Sequence, residues 1–119
     1  MGDEKQLILI GLVEPKSSDA IEAFNSWYLG NHIEDTYNCP EVTSVTSYKA
    51  VRGFLGDAPA EYLTIYTFRG QDAAAAEAAL GAYQADPDGW AERQPNNDSM
   101  KIVGAGWYEA AISFGPKTG

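Results

Sequence analysis

Side chains able to exchange protons are concentrated in residues 27–35, with the sequence WYLGNHIED. On a helix, Tyr28 and His32 share one face because they are four residues apart. Asp35 and Thr36 follow His32 by three and four residues, within reach of the imidazole if the helical turn continues. A carboxylate on one ring nitrogen would fix the tautomer and leave the other nitrogen for proton transfer. The structural alternative, which the spacing alone favours, is that His32 ends the helix, where partial negative charge stabilises the imidazolium.

A second candidate group consists of aromatic side chains outside this segment. Together they could line an apolar pocket in which phenol hydroxyls orient a substrate carbonyl. Aromatic residues also dominate cores and dimer interfaces, and the sequence favours that simpler interpretation. The members of the group are Tyr48, Tyr62, Tyr66, Trp90, Trp107 and Tyr108.

Metal and nucleotide sites have little support in the sequence. Because His32 is the single histidine, a multi-histidine zinc site within one chain is excluded. The acidic residues Asp86, Asp88 and Asp98 lack the spacing of a calcium-binding loop, and there is no glycine-rich phosphate loop or dinucleotide fingerprint. Cys39 has no second histidine to activate it, which favours an inert thiol. We therefore expect neither a metal nor a cofactor.

Composition narrows the class of protein further. The 119 residues (12.9 kDa) suit one domain with a core over residues 6–114, and 45% hydrophobic residues are typical of a folded protein. A net charge of −9 disfavours phosphate backbones and anionic lipids, so we expect no nucleic-acid or membrane partner. No apolar run reaches the roughly 20 residues of a membrane span. One cysteine fits a reducing compartment, so the cytoplasm is the expected location.

Periodicity and turn residues predict four strands and two helices. Asp19, with Glu22 three residues later, predicts a capping box that opens the first helix. Along this helix Phe24, Tyr28 and His32 recur every four residues, and Gly30 should weaken it before a last turn. Asp72 predicts the cap of the second helix, over residues 73–85. The strands are predicted over residues 6–13, 42–51, 61–68 and 101–114, with a polar loop around Trp90 before the last one.

The predicted order β-α-β-β-α-β is that of a split-βαβ, ferredoxin-like α+β fold. Its four-stranded antiparallel sheet carries two helices on one face and leaves the other face bare. Strands rich in Leu, Ile and aromatic residues would make that bare face apolar. A small monomer rarely exposes such a face, so we expect a homodimer that forms through the sheet faces.

The segment around the histidine resembles the dimeric α+β barrel superfamily, in particular its EthD-like branch. The branch has a helix with the pattern W-Y-x-x-x-H-x-x-[DE], matched by Trp27-Tyr28, His32 and Asp35, then a turn with a proline, here Pro40, and a strand. The chain departs from the branch where Glu41 replaces a frequent glycine after that proline. The resemblance implies a dimer whose sheets close into a barrel, with a pocket between sheet and helices in each subunit. It also favours a pocket role for His32.

Superfamily members include cofactor-independent cyclases, isomerases, lyases and small oxygenases. The resemblance therefore suggests a cofactor-independent lyase or dehydratase, isomerase or cyclase acting on a small apolar carbonyl-bearing or aromatic substrate. His32 would be the general acid or base, Asp35 would orient it, and Tyr28 and Tyr66 would polarise the substrate oxygen. The alternatives are a non-catalytic ligand-binding or structural homodimer, and a haem-binding protein or cofactor-free oxygenase. The predicted substrate-binding residues are Phe24, Trp27, Tyr48, Tyr62, Trp90, Trp107 and Tyr108.

Overall fold

A four-stranded antiparallel sheet forms the centre of the molecule in the computed structural model, which describes residues 6–69, 72–85 and 97–117. The strand order is β2-β3-β1-β4, and two helical regions pack on one face of the sheet, so the predicted ferredoxin-like α+β fold is confirmed. The strands are β1 (Leu7–Pro15), β2 (Val42–Lys49), β3 (Tyr62–Phe68) and β4 (Met100–Glu109).

Side-chain alternation along β3 defines the two faces of the sheet. Tyr62, Thr64, Tyr66 and Phe68 are buried beneath the helices, whereas the residues between them are half-buried on the opposite side. This is the period of two that a pleated strand imposes. The helix-facing row therefore contains two phenols separated by one threonine.

The first helical region departs from the prediction in its start and its middle. It begins with a 3₁₀ turn over Ser18–Ala20, after Ser17 in extended backbone with no side-chain cap. The predicted capping box with Asp19 is therefore wrong, because Asp19 lies inside that turn. An α-helix, α1 (Ile21–Phe24), follows, then a π-helix over Asn25–His32, and then α2 (Ile33–Tyr37). The helix is thus not interrupted at Gly30, and its last turns extend to residue 37.

The second helical region, α3 (Ala73–Gln84), begins where the sequence predicted. Its N-cap Asp72 accepts a hydrogen bond from the Ala75 amide at 2.7 Å, which satisfies one of the free N–H groups of the first turn. Ala76 is fully buried in a cluster with Leu7 and Phe68. Small alanine side chains let the helix approach the sheet closely. Residues 86–96, including Trp90, lie outside the described part of the chain, and residues 97–99 form a 3₁₀ turn.

The last strand, β4, is irregular and shorter than predicted. Its register with β1 shifts between Leu12 and Val13, which pair with Gly104 and Ile102, so β4 contains a bulge beside Gly104. The strand ends at Glu109, opposite Leu7, where β1 begins. Residues 110–117 continue without regular structure because no further residues of β1 pair with them.

The helix-free face of the sheet, which we call the open face, is apolar at its centre. Cross-strand pairs place β1 and β3 side chains next to each other there, and all of them are half-buried. No helix among the described residues is both long and apolar enough to cross a membrane. The central side chains of the open face are Ile8, Ile10, Leu12, Leu63 and Ile65.

Candidate functional site

Three rings of the first helical region stack in a row. Tyr28 is stacked on Phe24 with a centroid separation of 4.9 Å and on His32 with a separation of 5.5 Å. Trp27 also contacts the imidazole, with centroids 4.6 Å apart. Phe24, Trp27 and Tyr28 are buried and His32 is half-buried. The single imidazole therefore packs against two neighbouring aromatic rings, at the boundary between the interior and the surface.

The helix geometry at this position is itself unusual. π-Helical turns are rare, occur mostly as single insertions in α-helices and are frequently found at functional sites. Here the π-helix spans eight residues and carries Trp27, Tyr28 and His32. No sequence feature predicts this π-helix, because a four-residue repeat of apolar side chains is also compatible with an ordinary α-helix.

Tyr28 is anchored to the sheet by buried hydroxyl groups. Its Oη lies 2.6 Å from Oγ1 of Thr64, and Thr64 Oγ1 lies 2.7 Å from Oγ of Ser47 on the neighbouring strand. Tyr66 hydrogen-bonds with both Tyr28 and Thr36. Five hydroxyl groups from β2, β3 and the first helical region thus form one network, which we call the hydroxyl network.

The direction of one hydrogen bond at the edge of the network is defined by the groups it joins. Each hydroxyl has one hydrogen to donate, and Thr36 donates its own to the carbonyl oxygen of His32 at 3.1 Å. In the pairs Tyr28–Thr64 and Thr64–Ser47 either hydroxyl oxygen can be the donor, because each group both donates and accepts. The two phenol hydroxyl groups therefore both have partners inside the network.

Burial keeps the two phenols neutral. Desolvation raises the pKa of Tyr28 above its ordinary value, although the hydrogen bond with Thr64 opposes the rise. Desolvation also raises the pKa of Tyr66, and the neighbouring Tyr28 adds to the rise. Neutral phenols are hydrogen-bond donors rather than bases. These two residues can therefore polarise or position a partner, whereas the histidine is the group able to exchange a proton near neutral pH.

Asp35 lies one turn beyond His32, on α2, and its side chain is buried. A buried carboxylate needs hydrogen-bonding or charged partners, so Asp35 requires such partners inside the protein. Its role in orienting the imidazole stays a prediction.

Open space lies beside the hydroxyl network, on the helix-facing side of the sheet. Register pairs Ser47 with Thr64, Thr64 with Gly11, and Gly11 with Ala105, which makes one row of small residues across all four strands. A β-carbon added to Gly11 would meet no atom within 4 Å. The row therefore leaves room above the centre of the sheet, next to the residue that anchors Tyr28.

Six of the predicted site residues lie together in the structure. Phe24, Trp27, Tyr28, His32 and Tyr62 form one aromatic cluster, since Tyr62 contacts the rings of Phe24 and Tyr28. Tyr66 joins this cluster through its hydrogen bond with Tyr28.

The remaining aromatic residues lie elsewhere in the molecule. Trp107 packs edge-on against Phe68 in the other core cluster and donates to Oε1 of Glu77 at 2.9 Å. Tyr48 and Tyr108 are exposed on the open face, away from the hydroxyl network. Trp90 lies outside the described residues.

Two members of the network, Ser47 and Thr64, are not among the predicted site residues. A signal for Thr64 was present, because strand alternation placed it between Tyr62 and Tyr66 on a buried face. A buried hydroxyl must find a hydrogen-bond partner, so a threonine at such a position predicts a polar neighbour. Ser47 could be identified only from the register between β2 and β3.

Several cavities are present at the surface, and three of them are lined by described residues. One lies on the open face beside residues 48–63, one lies between α2 and β2, and one lies near Pro15 and Ile21. His32 lines none of these three. Within the described part of the chain, no cluster of three or more histidine, cysteine or acidic residues could hold a metal. Cys39 is buried, and burial raises the pKa of its thiol.

Comparison with solved structures shows one clear likeness. The fold is similar to that in the crystal structure of HapK from Hahella chejuensis, with a TM-score of 0.60 and 18% sequence identity. The match covers 95% of this chain and 99% of HapK. No family model and no curated protein sequence matches the chain. At this identity the likeness establishes that the two proteins share a small ferredoxin-like α+β fold over nearly their whole length.

Proposed function

We propose that the protein is a small cofactor-independent enzyme of the lyase, isomerase or cyclase type. His32 would take a proton from a carbon next to a carbonyl group, leaving an enolate, and return it at another position or after a bond has broken. The substrate would be small and largely apolar and would lie between the sheet and the helices. The EthD-like motif around His32 is consistent with this assignment and remains part of the proposal.

One observation carries the proposal. Tyr28 connects the single imidazole, on which it stacks, to Thr64, whose cross-strand neighbour Gly11 has open space above it. A proton-exchanging group is therefore linked through Tyr28 to a buried hydrogen-bonding network, and that network lies beside room for a ligand. This combination is the usual composition of an acid–base site.

The two phenols have a defined task in this mechanism. Tyr28 or Tyr66 would turn its hydrogen from the network toward the substrate oxygen as negative charge develops there. The elevated pKa values keep both groups protonated, as a hydrogen-bond donor requires. The stacked rings exclude water from one side of the imidazole, so Asp35 and the substrate would control its protonation.

Proton abstraction can be tested without knowing the natural substrate. The protein is incubated in D₂O with enolisable aromatic ketones such as phenylacetone and acetophenone, and loss of the α-proton signal is followed by NMR. We expect exchange above the buffer rate, reduced about 10²–10⁴-fold in His32→Gln, because that is the usual contribution of a positioned acid or base. Asn31→Ala, an exposed neighbour on the same helix, is the matched control.

A second variant tests the location of the pocket. Gly11→Val adds a branched side chain to the open space without touching His32, and β-branched residues suit a strand. We expect this variant to fold and to lose exchange activity because the ligand is displaced. Equal exchange rates in wild type and His32→Gln would contradict the proposal, and normal activity in Gly11→Val would place the pocket elsewhere.

We further propose that two copies pair through their open faces. The open face presents the apolar centre formed by β1 and β3, with exposed Tyr48 and Tyr108 near its margins. A contiguous apolar surface of this kind on a small domain usually marks an interface. We expect light scattering to give twice the 12.9 kDa of one chain, and Ile10→Lys with Ile65→Lys to give the single-chain mass. A single-chain mass for the wild type would refute the dimer.

A further inference from the structure

The open space beside the hydroxyl network has its mouth at β4. Thr64, Gly11 and Ala105 are successive neighbours in one cross-strand row. Thr64 is fully buried, Gly11 is half-buried and Ala105 is exposed. Burial thus falls along the row towards β4, which is an edge strand, so a ligand would enter from that side. The row lies on the helix-facing side of the sheet, which a dimer formed through the open faces leaves uncovered.

A carboxylate lies beside this mouth. Oε1 of Glu77, on α3, accepts a hydrogen bond from the indole N–H of Trp107 at 2.9 Å. Trp107 is two residues beyond Ala105 on β4, so both side chains project from the same side of the sheet. The ring of Trp107 packs edge-on against Phe68, which fixes the indole in place. The hydrogen bond therefore holds the exposed carboxylate of Glu77 next to the end of the row.

This carboxylate can accept further hydrogen bonds. A carboxylate has about four acceptor positions, and the Trp107 indole uses one of them. Among residues 6–69, 72–85 and 97–117, no lysine or arginine forms an ion pair with Glu77. At the other end of the open space, Tyr28 and Tyr66 are neutral hydrogen-bond donors. The two ends are complementary to a molecule with an acceptor at one end and a donor at the other.

The separation of the two ends limits the size of that molecule. Thr64, which anchors Tyr28, lies two strands away from β4, and Trp107 lies two residues along β4 from the row of Thr64. With strands about 4.8 Å apart and about 3.4 Å per residue, the backbone positions of Thr64 and Trp107 are roughly 12 Å apart. One aromatic ring with a short carbonyl-bearing side chain fits between side chains that project from these two positions.

We propose that Glu77 is a specificity-determining residue of this pocket and selects substrates whose apolar body ends in a phenolic hydroxyl group. The hydroxyl group donates to the carboxylate, which the Trp107 indole positions. A site that hydrogen-bonds a substrate hydroxyl discriminates against the analogue that lacks it. Because Glu77 is exposed, water partly replaces the missing hydroxyl and limits the discrimination. This inference rests on the proposed function, since it places the substrate in the same pocket with its carbonyl group at the Tyr28 end.

Three ketones test this selection near pH 7, where a phenol is protonated. They are phenylacetone, its 4-hydroxy derivative and its 4-methoxy derivative, which keeps the oxygen but cannot donate. Binding to the full-length protein is measured by calorimetry, and exchange of the α-protons is measured separately by NMR in D₂O. We expect the 4-hydroxy ketone to bind about tenfold more tightly than either of the others, because hydrogen bonds to charged groups are the stronger ones.

Three variants locate the source of this preference. Glu77→Gln keeps the shape of the side chain but removes its charge, so the preference should fall to about twofold. Trp107→Phe keeps a ring against Phe68 but removes the N–H that positions Glu77, so the preference should fall to about threefold. Glu22→Gln removes one acidic charge from an exposed position on α1 and should leave the preference unchanged. The ratio of two affinities does not depend on the fraction of folded protein.

The outcomes separate this inference from the proposed function. Equal affinities of the wild type for the three ketones would overturn the role of Glu77, and so would an unchanged preference in Glu77→Gln. Failure of all three ketones to bind would overturn the pocket itself. A preference in binding without any exchange of α-protons would support the role of Glu77 and contradict the proposed enzyme activity.

Discussion

Replacing Thr64 by valine tests the hydroxyl network directly. The two side chains have nearly the same shape, so the change removes one buried hydroxyl without creating a large cavity. Thr64 is fully buried and hydrogen-bonds with both Tyr28, at 2.6 Å, and Ser47, at 2.7 Å. The variant therefore loses two hydrogen bonds inside the protein.

The expected magnitude follows from those two bonds. Each contributes about 1 kcal/mol net, because folding exchanges bonds with water for bonds within the protein. Tyr28 keeps its bond with Tyr66, and half-buried Ser47 regains contact with water, so neither group is left wholly unsatisfied. We expect Thr64→Val to lower the free energy of unfolding by about 2 kcal/mol, and by up to about 3 kcal/mol if the Tyr28 hydroxyl is only partly compensated.

Urea denaturation measures this difference, and the same strand supplies the control. Thr67 is three residues away on the open face, where its side chain is only half-buried, so Thr67→Val should change the free energy of unfolding by less than about 0.5 kcal/mol. A double-mutant cycle with Tyr28→Phe should give a coupling of about 1 kcal/mol, since both changes remove the same bond. Equal effects of the two threonine variants, or strict additivity in the cycle, would refute the network.

Three further predictions concern pH and the two helical regions. Because the pKa values of Tyr28 and Tyr66 are raised, the unfolded chain releases these protons first as the pH rises above about 10. The contribution of the two tyrosines to the free energy of unfolding is therefore complete below that pH and falls above it by up to about 1.4 kcal/mol per pH unit for each tyrosine. Urea denaturation from about pH 9 to about pH 11.5 should show a shallower fall for Tyr66→Phe than for the wild type. An equal slope would contradict the raised pKa of Tyr66. Asp72→Ala should lower the free energy of unfolding by about 1 kcal/mol through loss of the cap, and a change near zero in the same assay would contradict the Asp72–Ala75 bond. Gly81→Ala should raise it by about 0.5–1 kcal/mol, since a β-carbon meets no atom there, and a loss of stability would show hidden crowding.

Much of the sheet and the second helix was predictable because local signals and tertiary packing agree there. The alternation of β3 and the Asp72 cap of α3 both appear in the structure as the sequence indicated. The end of β4 was not predictable, since the apolar residues after Glu109 favour a strand but have no partner on β1. A strand loses its hydrogen-bond partners where the neighbouring strand ends, and the register between two strands depends on the whole fold.

The first helical region, which carries much of the candidate site, was also only partly predictable from the sequence. The four-residue spacing of Phe24, Tyr28 and His32 correctly indicated that these rings share a face. It could not distinguish a π-helix from an α-helix, because that choice depends on packing against the sheet. Asp19 and Glu22 matched a capping box in sequence, yet the helix begins earlier, at Ser18, which places Asp19 within the first turn.

The open space at the candidate site results from the register between the strands, which the sequence alone does not indicate. Gly11 lies in an apolar run that predicts a strand and nothing more, and Thr64 lies between two tyrosines. Pairing brings Gly11 beside both Thr64 and Ala105, and it places large residues, Tyr66 and Leu9, in the adjoining row. Small residues at the centre of a sheet forgo packing energy that larger side chains would supply. Such a loss is expected where room for a ligand is required, and it lies next to the hydroxyl network that holds Tyr28 against His32.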